Sequence, residues 1–129
     1  MTPPATPLTL PKAGLLRKPA EYRQVYEQGK RLRGDGFTLI YRLAPGGERP
    51  RLGISVHGVA SAVRRHRIKR IIREFFRLQQ HRITPAVEMI FAVRSNFRLD
   101  SPREIAEAVG RLVANRPGFY RDAGAAGTD

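Results

Sequence analysis

The chain contains no cysteine and has few acidic side chains. Without cysteine it cannot form a disulfide, a thiolate zinc site or a thiol nucleophile. It also lacks any run of about 20 apolar residues, the length that spans a bilayer, and its N-terminus lacks the apolar segment of a signal peptide. We therefore expect a cytoplasmic protein without a membrane partner.

Positive charge is what the chain has in excess. It carries 24 lysines and arginines against 11 aspartates and glutamates, which gives a formal net charge of +13, and 20 of the basic residues are arginines. Arginine offers a planar fork of donors that matches phosphate and stacks on bases. A membrane surface would instead require a basic helix with a broad exposed apolar face, which the sequence does not show. The composition therefore predicts a nucleic-acid partner.

The length and the hydrophobic share fit one folded domain with loose ends. The chain has 129 residues, of which 41% are hydrophobic, and this is enough for a modest core. Four prolines and no periodic pattern predict a flexible arm over 1–14. The glycine- and alanine-rich end predicts a flexible tail over 117–129. The domain is therefore expected over 15–116.

Helix signals predict three helices within that domain. The first begins at Pro19 and ends before Gly29. The longest covers 61–80, and the last begins at a capping box formed by Ser101 and Glu104. Each has the apolar spacing of a helix that packs on one side.

Three strands are predicted between these helices, over 37–43, 51–56 and 88–93. The turn residues at 45–47 predict that the first two pair as an antiparallel hairpin, and the mostly apolar third strand is predicted to be central. The first strand is expected to place alternate residues on one face, namely Phe37, Leu39, Tyr41 and Leu43. The order α-β-β-α-β-α indicates a two-layer α+β fold.

The helix predicted over 61–80 has an apolar side and a cationic side when it is projected at about 100° per residue. The side predicted to pack on the sheet contains Ile68, Ile71, Ile72, Phe75 and Leu78. Its basic residues lie on the opposite side or on the flanks: Arg64, His66, Arg67, Lys69, Arg70, Arg73 and Arg77. Glu74 is its only acid.

This concentration of one charge favours a polyanion as the partner. Like charges at i and i+4 repel on a helix, and a merely solvated surface usually mixes both signs. RNA or DNA would offset the repulsion and release counterions. Sequence-specific DNA reading requires polar side chains directed at base edges, which this helix lacks, so we expect RNA and no DNA.

No catalytic constellation can be recognised in the sequence. The three histidines, His57, His66 and His81, are scattered, and the acids are mostly isolated and near basic residues. A protein nuclease needs clustered carboxylates for a metal ion or histidines paired as acid and base. We therefore expect no catalytic residue and no metal site on the protein. Two functions stay open: a subunit of a ribonucleoprotein enzyme, or a non-catalytic ribosomal or assembly protein that binds RNA.

The segment 62–77 resembles the signature helix of the bacterial ribonuclease P protein family, A-V-x-R-N-R-x-K-R-x-x-R-E-x-F-R. The matching positions are Ala62, Val63, Arg65, Arg67, Lys69, Arg70, Arg73, Glu74, Phe76 and Arg77. Residues 16–29 and 51–56 are similar to the family's first helix and to the strand before the signature helix. His66 stands where the family usually has asparagine, and histidine can also hydrogen-bond and stack.

The resemblance implies a subunit of an endoribonuclease in which a large RNA with bound Mg²⁺ cleaves precursor tRNA at the mature 5′ end. The signature helix would contact this catalytic RNA through Arg64, Arg65, His66, Arg67, Lys69, Arg70, Arg73 and Arg77. A cleft between the sheet and the first helix would receive the single-stranded 5′ leader, on which Tyr22, Tyr26 and Tyr41 would stack. The implied fold is like the second domain of a small-subunit ribosomal protein, with a left-handed β-α-β crossover in place of the usual right-handed one.

Overall fold

A computed structural model describes residues 12–121, so residues 1–11 of the arm predicted over 1–14 and residues 122–129 of the tail predicted over 117–129 lie outside the described residues. Residues 12–14 are not part of a loose arm, because they form a helical turn and the leucines that follow pair with Leu52. Within this range a short 3₁₀ helix, Lys12–Gly14, precedes three α-helices and four β-strands. In chain order these are α1 (Pro19–Gln28), β1 (Lys30–Arg33), β2 (Phe37–Leu43), β3 (Arg51–Val56), α2 (Ala62–Gln79), β4 (Val87–Val93) and α3 (Pro102–Leu112). The predicted α+β class is confirmed.

The strands form one sheet in the order β1-β2-β4-β3. Because β4 pairs antiparallel with β2 and parallel with β3, the predicted hairpin between 37–43 and 51–56 is wrong. Met89, Ile90 and Phe91 of β4 are all fully buried, and only an inner strand is covered on both faces. Burial of β4 therefore outweighs the turn signal, and the predicted central position of this strand is confirmed.

An edge strand that the sequence pattern does not predict completes the sheet. Three of the four residues of β1 are cations that are exposed, and Leu32 alone is buried. A strand with a single buried side chain has no alternating apolar pattern. Its pairing with β2 is therefore visible only in the fold.

Helices cover the two faces of the sheet unequally. On one face α2 and α3 enclose the main core, which includes Phe37, Phe75 and Phe91. On the other face α1 covers only a part, where Val25 packs against Ile40 and Ile90. The connection from β3 through α2 to the parallel strand β4 is a β-α-β crossover, and its left hand stays a prediction.

The predicted helix ends agree with the structure, and so does the predicted buried side of α2 except for one residue. Ser61 and Ser101 accept hydrogen bonds from backbone N–H groups three residues later, each at 3.2 Å. Ile68, Ile72 and Phe75 are buried as predicted, but Leu78 is 38% exposed and Phe76 is buried instead. No helix in the described range is long and apolar enough to cross a membrane.

The folded domain extends further at its C-terminal end than predicted. Phe119 is fully buried and packs edge-on against Tyr41 at 5.2 Å between ring centroids. The backbone N–H of Thr84 donates to its carbonyl at 2.9 Å, and Tyr120 bridges to Ile83. The predicted start of a loose tail at 117 is therefore wrong, because an aromatic ring in the core holds residues 117–121 in place.

Candidate nucleic-acid interface

The basic residues of α2 fall into three groups according to what they contact. His66, Lys69, Arg70 and Arg73 make no hydrogen bond and no ion pair with any residue in 12–121. They lie on the side of α2 that faces away from the sheet or on its flanks, at least partly exposed to solvent. These four side chains are therefore available to an anionic partner.

Two arginines near the start of α2 are instead bound to the backbone of neighbouring loops. The Arg64 guanidinium donates to the carbonyl of Phe97 at 2.6 Å. The Arg65 guanidinium donates to the carbonyls of Val59 at 2.8 Å and Ala60 at 3.1 Å. Both arginines fix the loops that flank the start of α2, although they were predicted only as RNA contacts. Their remaining N–H groups are still charged donors.

The other two predicted cations form ion pairs at the surface. Arg67 pairs with Asp100 at 2.7 Å, and both side chains are more than half exposed. Arg77 pairs with Glu74, and the hydrogen bond from Arg77, together with its charge and that of Arg70, lowers the pKa of Glu74. Exposed pairs such as Arg67–Asp100 contribute little stability, so an RNA phosphate can replace Asp100 at small cost.

A second surface lies on the sheet face that α1 leaves uncovered. Tyr22 and Tyr26 project from α1 toward it, and both are half-buried. The Tyr22 hydroxyl accepts a hydrogen bond from the N–H of Ile54 at 3.3 Å. A Cβ at Gly53 would lie 2.7 Å from the Tyr22 ring, so the glycine is what allows this close approach.

Tyr26 is surrounded by two cations of β1, by side chains of β2 and β4, and by His57, which follows β3. The Arg31 guanidinium lies 5.6 Å from the centre of its ring and donates to its carbonyl at 3.2 Å. A concavity of about 560 Å³ opens here. It is lined by Tyr26, Arg31, Arg33, Thr38, Ile40, His57 and Ala92. We call this surface the open sheet face.

Sequence reasoning missed most of the open sheet face because only the strand register assembles it. Arg31 is paired with Ile40 and Arg33 with Thr38, so these cations share a face through β1, the strand that was not predicted. His57 follows β3 and lies 2.6 Å from the Ser55 hydroxyl. One signal in the sequence could have placed Ile40 on this surface. Successive residues of a strand point to opposite faces, so Ile40 must face away from Leu39 and Tyr41.

Tyr41 does not belong to this surface, and its predicted place in the cleft is wrong. It is buried among the core residues beneath α2 and α3 and packs against Phe119. Successive residues of a strand point to opposite faces, and Ile40 already faces α1. Ile40 therefore occupies the position toward the cleft, and Tyr41 is a core residue.

A row of charged side chains across the sheet fixes α1 at both ends. Glu88 of β4 pairs with Arg42 at 3.0 Å and with Arg51 at 3.4 Å. Arg42 also donates to Gln28 at 2.7 Å, and Arg51 pairs with Glu21 at 2.7 Å. Gln28 lies at the end of α1 and Glu21 in its first turn. The row therefore sets the position of the two tyrosines over the sheet.

Glu21 should make stability depend on pH in the acid range. Hydrogen bonds from the backbone N–H groups of Lys18 and Arg17, and then from Arg51, lower its pKa to about 2. Ionised Glu21 thus stabilises the fold above the ordinary carboxyl value of 4.5, and this contribution is lost as the pH falls through the acid range toward 2. The free energy of unfolding, measured in urea, should be about 1–2 kcal/mol higher for wild type than for Glu21→Gln at pH 7, and this difference should shrink toward pH 3.

Glu27→Gln is the matched control for this measurement. Glu27 lies on the same helix but is exposed, and its carboxylate has no partner within 12–121. Its substitution should leave the pH profile parallel to wild type. A Glu21→Gln difference that stayed constant from pH 7 to pH 3 would contradict the assignment of the ionised carboxylate as the stabilising form.

No metal centre is apparent on the protein side of these surfaces. Within residues 12–121 no group of three or more histidine, aspartate or glutamate side chains is placed to hold a metal ion. Glu21, Glu74, Glu88 and Asp100 are each bound to arginine. Their arrangement serves the fold and the placement of the cations.

Taken together, a basic helix with free cations and an open sheet face flanked by tyrosines define an RNA-binding protein of the α+β class. The ribonuclease P family model matches residues 10–116. The chain belongs to the ribonuclease P protein family. Its partner is accordingly the RNA of that ribonucleoprotein, its process is tRNA processing, and the ribosomal or assembly alternative is not favoured.

Individual relatives agree over nearly their whole length. The chain is 52% identical over 114 residues to the ribonuclease P protein component of Desulfotalea psychrophila, which covers 88% of this chain and 94% of the relative. The corresponding protein of Syntrophus aciditrophicus is 34% identical, with 85% and 92% covered.

Solved structures of ribonuclease P proteins share the fold. That of Staphylococcus aureus superposes with a TM-score of 0.71 at 27% identity and covers 84% of this chain and 99% of its own. The structure from Thermotoga maritima superposes with a TM-score of 0.66 at 27% identity and covers 80% of this chain and 97% of its own.

Proposed function

We propose that this protein binds the 5′ leader of precursor tRNA across α1 and the open sheet face, while α2 holds the RNA subunit of ribonuclease P. Hydrolysis then takes place on the RNA with its bound Mg²⁺, and the protein supplies binding and orientation. The observation that carries the proposal is the separation of two unlike surfaces on one small domain. One presents unpaired cations on a helix, and the other presents half-buried aromatic rings beside cations.

The two surfaces suit two kinds of RNA. Free cations on a rigid helix complement the phosphates of a folded RNA and gain from counterion release. Tyr22 and Tyr26 offer rings on which unpaired bases of any identity can stack, and Arg31 and Arg33 offer charge for the connecting phosphates. A leader of variable sequence requires this kind of tolerant binding.

Reconstitution tests the proposal directly. The protein is combined with a bacterial ribonuclease P RNA at a Mg²⁺ concentration at which the RNA alone is slow, and cleavage of precursor tRNA is followed. We expect faster release of the 5′ leader at the correct site. No gain over the RNA alone would contradict the proposed role.

The tyrosines should affect substrates according to leader length. Tyr22→Ala and Tyr26→Ala should each weaken binding of a long-leader precursor by about 1–3 kcal/mol, the usual contribution of a ring to stacking on one base. A precursor whose leader is too short to reach α1 should be unaffected. Affinities of the reconstituted holoenzyme for both substrates provide the measurement.

Phenylalanine at the same positions is the matched control because it keeps the ring. Tyr26→Phe should bind both substrates as wild type does, since no hydrogen bond of the Tyr26 hydroxyl is seen within 12–121. Equal losses on long and short leaders in the alanine variants would show that these rings serve packing and not leader binding.

A further inference from the structure

A cationic notch at the outer edge of β3 lies between the two surfaces described above. It is a concavity of about 350 Å³. Its lining consists of Lys12, Leu15, Leu16, Arg17, Tyr22, Leu52, Ile54, Lys69 and Arg73. Lys12 and Arg17 come from the segment before α1, whereas Lys69 and Arg73 come from α2. The notch therefore brings together cations that are more than 50 positions apart in the chain.

Backbone pairing at the sheet edge holds this arrangement in place. Leu15 forms a parallel bridge with Leu52, and the N–H of Leu16 donates to the carbonyl of Leu52 at 2.8 Å. The side chain of Leu16 is buried under α1 together with Val25. The segment that carries Lys12 and Arg17 is thus fastened to β3, and these cations stand at a defined place beside α2.

The notch has four cations in its lining and no acid. None of the side chains of Lys12, Arg17, Lys69 and Arg73 makes a hydrogen bond or an ion pair with a residue of the described range. The nearby carboxylate of Glu21 is already bound to Arg51 and to two backbone N–H groups. Lys69 and Arg73 also repel each other at i and i+4. An anion in the notch would relieve this repulsion.

The position of the notch indicates which anion this is. Tyr22 lines the notch and packs with Tyr26 against the same buried cluster beneath α1. A strand that stacks on both tyrosines would therefore bring its backbone to the opening of the notch. A concavity of this size has room for phosphate groups. Lys69 and Arg73 line the notch from α2, the helix that holds the RNA subunit in the proposed function, so the notch lies where the leader and that RNA would meet. A single strand that crosses the edge of β3 would pass from one surface to the other.

We propose that Lys12, Arg17, Lys69 and Arg73 form a binding site for consecutive phosphates of a single-stranded RNA, and that this RNA is the precursor leader where it crosses the edge of β3. The assignment rests on the proposed function, in which the leader lies along α1. It extends the leader's path beyond the tyrosines and the open sheet face. It also gives the segment before α1 a role in substrate binding.

The test uses the two notch cations that lie outside α2. The Lys12→Ala, Arg17→Ala double variant is assembled with the RNA subunit, and its affinities for long-leader precursor, for leaderless tRNA and for the RNA subunit are measured over a range of salt. Long-leader binding should weaken about 10-fold, with a salt slope lower by about 1.4, as expected for two phosphates of a single strand. The other two affinities should not change.

An Arg23→Ala, Arg111→Ala double variant controls for net charge, because both arginines are exposed, have no side-chain partner within 12–121 and lie outside the notch. An equal loss in this variant would overturn the inference. So would an equal loss for leaderless tRNA, or a loss only for the RNA subunit, which would assign the notch to that RNA. If the tyrosine variants show no dependence on leader length, the proposed function itself fails. If the tyrosine variants do depend on leader length but the notch variant binds the long-leader precursor as wild type does, only this inference fails.

Discussion

Replacing Phe119 by alanine should lower the free energy of unfolding by about 3–5 kcal/mol, the usual cost of deleting a buried aromatic ring. The ring is fully buried and contacts both Tyr41 and Tyr120 edge-on. Its loss leaves a cavity beneath the sheet and releases the residues that pair with the loop before β4. Urea denaturation followed by circular dichroism measures the change.

Leu43→Ala is a matched control for that experiment. Leu43 lies on β2 two residues beyond Tyr41, but its side chain is 52% exposed. Truncation of Leu43 should lower the free energy of unfolding much less than truncation of Phe119, because its side chain buries little apolar surface in the folded protein. A loss below about 1 kcal/mol for Phe119→Ala would show that the C-terminal residues are dispensable for the fold.

The triple variant Lys69→Ala, Arg70→Ala, Arg73→Ala should bind the RNA subunit about 100-fold more weakly at 0.1 M salt, and its salt slope should fall by about 2–3. These cations make no hydrogen bond and no ion pair within 12–121, so their removal costs the fold little. The free protein should even gain slightly, since repulsion along the helix is relieved. Binding of labelled RNA subunit at several salt concentrations gives both quantities.

Two comparisons make this result specific to α2. A variant with Arg23, Arg103 and Arg111 replaced by alanine loses the same charge from exposed positions elsewhere and should bind nearly as wild type does. Arg65→Ala should differ in another way, because its guanidinium holds the carbonyls of Val59 and Ala60 and its loss should lower stability by about 1–3 kcal/mol. An unchanged salt slope in the triple variant would exclude these cations from the RNA contact.

The sequence predicts the elements of this fold better than their arrangement. The capping serine Ser61 and the spacing of Ile68, Ile72 and Phe75 are local signals, and the helix they predict agrees with α2 almost to the residue. The exchange of Leu78 for Phe76 on the buried side depends on how α2 sits against α3. That contact involves residues far apart in sequence and has no local signal.

Pairing of the strands is where local reasoning fails. Turn residues at 45–47 predict a hairpin, yet they connect two strands that are separated by β4. The tight turn signal concerns a few residues, whereas burial of β4 on both faces concerns the whole core. The wrong placement of Tyr41 has the same origin, because its face follows from which side of β2 is covered by α1, and this is not a local property of the sequence. Residues joined only by register, such as Arg31 and His57, cannot be grouped before the sheet order is known.

The basic edge strand β1 has a consequence for the protein before it meets RNA. A sheet edge exposes unpaired N–H and C=O groups, to which the edge of another molecule can add as a strand and begin aggregation. At the opposite edge, the segment around Leu15 and Leu16 covers part of β3. Within residues 12–121 no segment covers β1 in this way, but the strand carries Lys30, Arg31 and Arg33. A second copy approaching that edge would bring the same three charges with it, so we expect repulsion between copies to oppose polymerisation of the RNA-free protein through its sheet.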